Sequence, residues 1–162
     1  MSSAVTASEF QIREVTPDDL EEILVHRRRM FEDMGHQNAA VLDEIVRSSR
    51  PVLRDFLQDG SYVGWFAVTS ERRVAAGAGL LISPSLSGPI APQRAERVYL
   101  WNAYTYPEFR KRGLARMLTQ TAIGYCREHG HKILWLHASE YGRPLYESLG
   151  FVATNEMKLV IE

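Results

Sequence analysis

A chain of 162 residues, 45% apolar and 24% charged, has the size and make-up of one globular domain. Its 19 Lys and Arg against 20 Asp and Glu exclude a globally basic nucleic-acid binder, though not a local basic patch. No run approaches the ~20 apolar residues of a bilayer crossing, Cys126 is the single cysteine, and no signal-peptide pattern opens the chain. A soluble cytoplasmic protein without membrane or nucleic-acid partners is expected.

Residues 1–8 read as a flexible N-terminus and 9–162 as the domain. Glu9 to Val15 alternates and reads as the first strand. Thr16-Pro17-Asp18-Asp19 is a helix start: a hydroxyl cap, Pro at the first helical position and acids in the first turn. Leu20, Ile23, Leu24, Phe31 and Met34 then line one helical face until Gly35. A second helical region runs from Asn38 to Leu57, its apolar stripe made by Val41, Leu42, Ile45, Val46, Leu53, Phe56 and Leu57. Pro51 is expected to kink or divide it, because proline lacks the donor a helix interior needs.

Strand character returns over Tyr62 to Thr69 and Arg73 to Ile82, where Gly77 and Gly79 suggest a bulge or a close backbone approach. Ser83 to Ala95 is a long loop with three prolines. Arg97 to Thr105 reads as a strand, a helix opens near Arg112 and stops at Gly130, and His131 to His137 is a short strand. A short helix follows with Leu145, Tyr146 and Leu149, and 151–153 and 157–161 read as a closing pair of strands. Trp65, Trp101 and Trp135 are expected in the core. The order gives a single-domain α/β fold: a mixed, mostly antiparallel sheet with one parallel βαβ unit and helices on both faces.

The sharpest local pattern is Tyr106-Pro107-Glu108-Phe109-Arg110-Lys111-Arg112-Gly113-Leu114-Ala115-Arg116. A strand ends, three consecutive cations follow, and a helix opens on small residues. Helix N-termini present unpaired N–H groups and about half a positive charge, and small residues let a phosphate approach the backbone. The pattern is neither a P-loop nor a dinucleotide fingerprint.

Arg110-x-x-Gly113-x-Ala115 after Pro107-Glu108-Phe109 resembles the acetyl-CoA pyrophosphate loop of the GNAT N-acetyltransferase superfamily. Arg143-Pro144-Leu145-Tyr146-Glu147-Ser148-Leu149-Gly150-Phe151 is similar to that family's closing motif, and the element order agrees along the chain. The resemblance implies a GNAT-like sheet whose bulged strand splays from its parallel neighbour, here Asn102 to Thr105 from Leu136 to Ser139. Acetyl-CoA would lie in that slot as co-substrate. Arg110, Lys111, Arg112, Gly113, Leu114 and Ala115 would hold its pyrophosphate, and Ser139 its pantetheine, at a position where the family often has Asn. Backbone N–H groups near Tyr104 or Thr105 would polarise the thioester, and Tyr146 would protonate the departing thiolate. A non-catalytic acyl-CoA-binding module is the alternative; it would need no Tyr146.

The strand before the loop carries no acid downstream of Glu96. The candidates near the slot are His137 and Glu140, with a water chain and no dedicated base as the alternative, and His137 is the expected general base or substrate anchor. Arg27 falls within the apolar stripe of the first helix and suggests an anchor for a substrate carboxylate, with Asn102 lining the same pocket. The expected partner is thus a small-molecule amine acceptor, with a homodimer left open. No His, Cys, Asp and Glu spacing suggests a metal.

Overall fold

The computed structural model describes residues 9–161. The N-terminal stretch 1–8 lies outside the described residues. Strand β1 (Phe10–Glu14) leads through a 3-10 turn at Pro17–Asp19 into α1 (Leu20–Asp33), and α2 (Ala39–Asp59) follows. Then come β2 (Tyr62–Thr69), β3 (Val74–Pro84), β4 (Glu96–Thr105), α3 (Leu114–Glu128), β5 (Leu134–Leu136) and α4 (Arg143–Ser148). The five strands form one sheet in the order β1-β2-β3-β4-β5, antiparallel except for β4 beside β5. The βαβ unit expected around α3 is thus present, and no described helix is long and apolar enough to cross a membrane.

The alternation of β2 shows how the layers assemble. Tyr62, Phe66 and Val68 turn to one face, where Ile23 and Leu24 of α1 and Leu53 of α2 cover them. Trp65 and Ala67 turn to the other, where α3 supplies Leu114, Leu118, Ala122 and Cys126. Side chains on a strand change face at every residue, so one strand feeds two apolar layers. The helix ends follow their sequence signals. Asp19 accepts the Thr16 N–H at 2.8 Å, the Asn38 side chain caps Val41 N, and Gly60 closes α2 at φ +80°.

Several expectations are corrected. α2 runs through Pro51 as one helix; the proline sits on its exposed side and costs one backbone bond without dividing it. Val41, placed in the buried stripe, is 49% exposed. Of the three tryptophans Trp65 is core, Trp135 is half-buried, and Trp101 is turned outward beside α1. No strand forms after α4 among the described residues. The segments 151–153 and 157–161 have strand-like composition, but no neighbour takes up their backbone.

Candidate active site

The glycines of β3 and one asparagine of β4 set the geometry of the site. Tyr104 pairs with Gly77 and Trp101 with Gly79, so Asn102 and Ala103 oppose Ala78 alone. This is a β-bulge, and Asn102 sits in it at φ +52°, a region where Asn is among the few tolerated side chains. Both glycines are also forced by close approach. A Cβ on Gly79 would fall 2.2 Å from the Tyr62 hydroxyl, and one on Gly77 would fall 2.7 Å from the Phe66 ring.

Parallel pairing of β4 with β5 ends at Leu100 opposite Leu136. Beyond it the strands separate, leaving the outer side of Asn102 to Thr105 without a sheet partner. The bulge and the splay stand where the sequence reading placed them.

At the far end of that gap the chain turns into α3 through Lys111 at φ +60° and Gly113 at φ +77°. Left-handed residues at alternate positions of a turn bring backbone N–H groups inward, as in an anion-binding nest. Among the described residues the N–H groups of Gly113, Leu114, Ala115 and Arg116 make no backbone hydrogen bond; Met117 is the first to donate, to Gly113 O at 3.0 Å. Space in front of Gly113 is open. The donors and the room fit a pyrophosphate.

The cations of the loop are less uniform than their sequence suggests. Arg110 Nε donates to Thr105 O at 3.0 Å, and its Nη2 pairs with Asp33 of α1. Arg112 turns away to Glu9 at 2.6 Å and lies over Phe10 and Phe109. Lys111 makes no ion pair among the described residues, and Arg116 donates to Ser148 Oγ at 2.7 Å. Lys111 and Arg116 are therefore the cations without a carboxylate of their own.

On the opposite wall, Ser139 Oγ accepts the Gly142 N–H at 3.1 Å at the entrance to α4, which leaves its own proton free to donate. A Cβ added at Gly142 would meet Tyr146 Cε2 at 3.2 Å and Ser139 Oγ at 3.3 Å, a tight fit that either side chain must relieve by a few tenths of an ångström. Tyr146 packs edge-on against Phe151, ring centroids 5.7 Å apart, and burial pushes its phenol above the usual tyrosine range. It is a protonated donor at neutral pH.

The face of the bulge toward α1 gathers the remaining residues. Arg27 Nη1 donates to Asn102 Oδ1 at 3.2 Å and its Nε to Ser49 Oγ at 3.2 Å. Its guanidinium lies 5.2 Å from the Phe31 ring centroid and 5.5 Å from that of Trp101. Burial lowers its pKa, and no carboxylate among the described residues pairs with it. Arg28, one residue on, is held by both Glu32 and Asp43. Asn102 Nδ2 in turn donates to the buried Tyr62 hydroxyl at 3.4 Å, and burial lifts that phenol to about 12. His137 is exposed at the end of β5, its Nδ1 2.7 Å from the Tyr99 hydroxyl.

One cluster was not legible in the sequence. His26, 1% exposed, is enclosed by Phe66, Tyr104 and Tyr106, with Nε2 3.2 Å from Glu22 Oε1 but off the line of a hydrogen bond. Tyr106 donates to Glu22 at 2.7 Å. The nearby His26 and this phenol hold the Glu22 carboxyl below its ordinary pKa. The spacing Glu22-x-x-x-His26, one helical turn, was the available signal.

A family model of the acetyltransferase (GNAT) family matches residues 20–151. The chain belongs to the GNAT acetyltransferase family. It is similar to a solved GCN5-related N-acetyltransferase from Ralstonia eutropha JMP134, 34% identical, with 94% of this chain and 98% of that one covered and a TM-score of 0.88. A predicted acetyltransferase from Clostridium acetobutylicum, solved with acetyl-CoA, is 23% identical with a TM-score of 0.81, covering 94% and 96% of the two chains. Glucosamine-6-phosphate N-acetyltransferase from Arabidopsis thaliana is 16% identical with a TM-score of 0.63, covering 94% and 99%. The last two are likenesses of GNAT fold alone. No curated protein matches the sequence. As a GNAT member the chain is an acyltransferase.

Proposed function

We propose that this acetyltransferase moves the acetyl group of acetyl-CoA to the primary amine of a small acceptor that carries a carboxylate. Arg27 is the observation that carries the reading. It is a half-buried guanidinium at the bulge, bound among the described residues only by neutral Ser49 and Asn102 and flanked by two aromatic rings. A desolvated cation without an acidic partner is a site for an anion brought by the ligand.

Acetyl-CoA fits the gap between β4 and β5, with its pyrophosphate on the N–H groups of Gly113, Leu114 and Ala115 and near the Lys111 charge. Its pantetheine would follow the unpaired side of Asn102 to Thr105, with Ser139 donating from the other wall. The acceptor amine attacks the thioester carbonyl, and backbone N–H groups at Tyr104 or Thr105 hold the oxygen as it gains charge. Collapse of the tetrahedral intermediate breaks the C–S bond, and Tyr146 gives its proton to the thiolate. The amine proton leaves through His137 or water. For His137 to accept it on Nε2, its Nδ1 must donate to the Tyr99 oxygen, so Tyr99 selects the tautomer.

A thiol-release assay with acetyl-CoA against panels of amino acids, polyamines, aminoglycosides and peptides tests the reading. Turnover concentrated in carboxylate-bearing amines supports it. Turnover confined to polycations overturns it.

A further inference from the structure

Among the described residues, the apolar cluster under α1 and α2 draws on β2 and the start of β3 and takes nothing from β4 or β5. Large rings stand in the part of that face left open. Tyr99 and Trp101, two residues apart on β4, point to the same side, with ring centroids 5.1 Å apart and planes inclined by 37°. Trp135 is the partner of Tyr99 in the parallel pairing with β5 and shares that side. None of the three rings joins either apolar layer of the sheet. Trp101 is 37% exposed, and Tyr99 and Trp135 are half-buried. The row is also held in place, since His137 meets the Tyr99 hydroxyl at 2.7 Å. Rigid aromatic surface of this kind, with a few polar groups beside it, is what small-ligand sites are made of.

A guanidinium closes each end of the row. Arg97 lies 5.5 Å from the Tyr99 ring centroid and 4.2 Å from that of Trp135, and it already holds Glu156 at 2.6 Å. Arg27 lies 5.5 Å from the Trp101 ring centroid and, among the described residues, has no carboxylate. The row therefore offers one open anion site, at the bulge, and an uncharged aromatic surface running away from it.

On the reading of Arg27 as a carboxylate anchor, we propose that the acceptor is a free α-amino acid with a planar aromatic side chain, its ring lying on Trp101 and Tyr99. In an α-amino acid a single carbon joins the carboxylate to the amine. With the carboxylate on Arg27, which itself donates to Asn102, the amine stays at the bulge. The side chain is then the group that extends along β4 over the rings. Offset or edge-on contact between aromatic rings adds to what their buried area alone supplies, so a flat ring gains over a saturated ring of the same size. A second carboxylate on the side chain would reach Arg97, whose charge Glu156 has taken.

Thiol release from acetyl-CoA by the full chain tests this with phenylalanine, 3-cyclohexylalanine, leucine and phenethylamine. The first two differ in the flatness of the ring, and phenethylamine is phenylalanine without its carboxylate. A kcat/KM for phenylalanine at least about fivefold above those for cyclohexylalanine and leucine is expected from two ring contacts. Trp101→Leu should bring the ratio of phenylalanine to cyclohexylalanine close to one, with the acetyl-CoA Kd and far-ultraviolet circular dichroism of the parent. Using the ratio cancels any disturbance of Arg27, which serves both acids alike. Equal values for these two acids in the parent overturn the proposal and leave the carboxylate reading standing, and that comparison holds even where Trp101→Leu misfolds. A ratio unchanged in a folded Trp101→Leu overturns it as well, as does an absence of turnover with phenylalanine. Phenethylamine acetylated as fast as phenylalanine overturns the carboxylate reading and this proposal with it.

Discussion

Replacing Arg27 with Met separates recognition of the acceptor from everything else the site does. The side chain donates to two neutral oxygens at 3.2 Å, and no carboxylate among the described residues is left unpaired when it goes. Methionine keeps most of the apolar contact with Phe31 and Trp101. The fold therefore loses two long hydrogen bonds and two cation–π contacts of about 0.5–1 kcal/mol each, and Tm should drop by about 4–16 °C while the protein stays folded at the assay temperature. Acceptor binding loses more. A charge-assisted hydrogen bond to a carboxylate contributes about 1.5–3 kcal/mol, which is about 10- to 150-fold in kcat/KM for the acceptor. Steady-state thiol release with a carboxylate-bearing amine and its methyl ester reads this directly, with the acetyl-CoA Kd from calorimetry as control. The variant should lose the preference for the acid, retain its activity on the ester and bind acetyl-CoA unchanged. An equal loss on acid and ester, or none on either, would refute the assignment of Arg27 as a carboxylate anchor.

Tyr146→Phe should lower kcat by about 10²- to 10⁴-fold with the acetyl-CoA Kd unchanged, the signature of a lost proton donor, measured by steady-state kinetics and calorimetry. Gly113→Ala forces an L-residue to φ +77° at about 1–2 kcal/mol and should raise the acetyl-CoA Kd about tenfold; an unchanged Kd would remove this loop from the cofactor site. His137→Ala should lower kcat/KM for the acceptor with the acetyl-CoA Kd unchanged; a rate identical to the parent would exclude His137 as base. The Asp19 carboxyl is held below its ordinary pKa, first by the Arg13 guanidinium at 2.8 Å and also by the Thr16 N–H. Its folded pKa is depressed, so its contribution is complete above the ordinary value near 4 and is lost as pH falls through the lower folded value. Denaturant midpoints against pH should show that acid limb in the parent and a shallower one in Asp19→Asn.

The elements that local chemistry specifies were readable from the sequence. Thr16-Pro17-Asp18-Asp19, Asn38 and Gly60 mark helix ends through hydrogen bonds within a few residues, and the alternation of β2 encodes two layers in one strand. Arg110 to Ala115 was legible because a helix start carries its function in consecutive backbone groups. What depended on partners distant in sequence was not. Nothing near Arg112 announces that it turns to Glu9, or near Arg110 that it joins Asp33 of α1. His26 looked like any polar residue of α1 until β2 and β4 enclosed it with Phe66 and Tyr104. Pro51 was over-weighted because propensity ignores which side of a helix the ring occupies. The closing strands failed for a related reason: 157–161 has strand composition, but a strand exists only beside another.

Acetyl transfer steered by an acceptor carboxylate requires a matched pair of amines to react at different rates. Thiol release should be measured on the unmodified protein with one amino acid and its carboxamide, and the products identified by mass. An N-acetyl product is expected from both, with a kcat/KM at least about tenfold higher for the acid. Equal values for the pair, or a faster carboxamide, would contradict it.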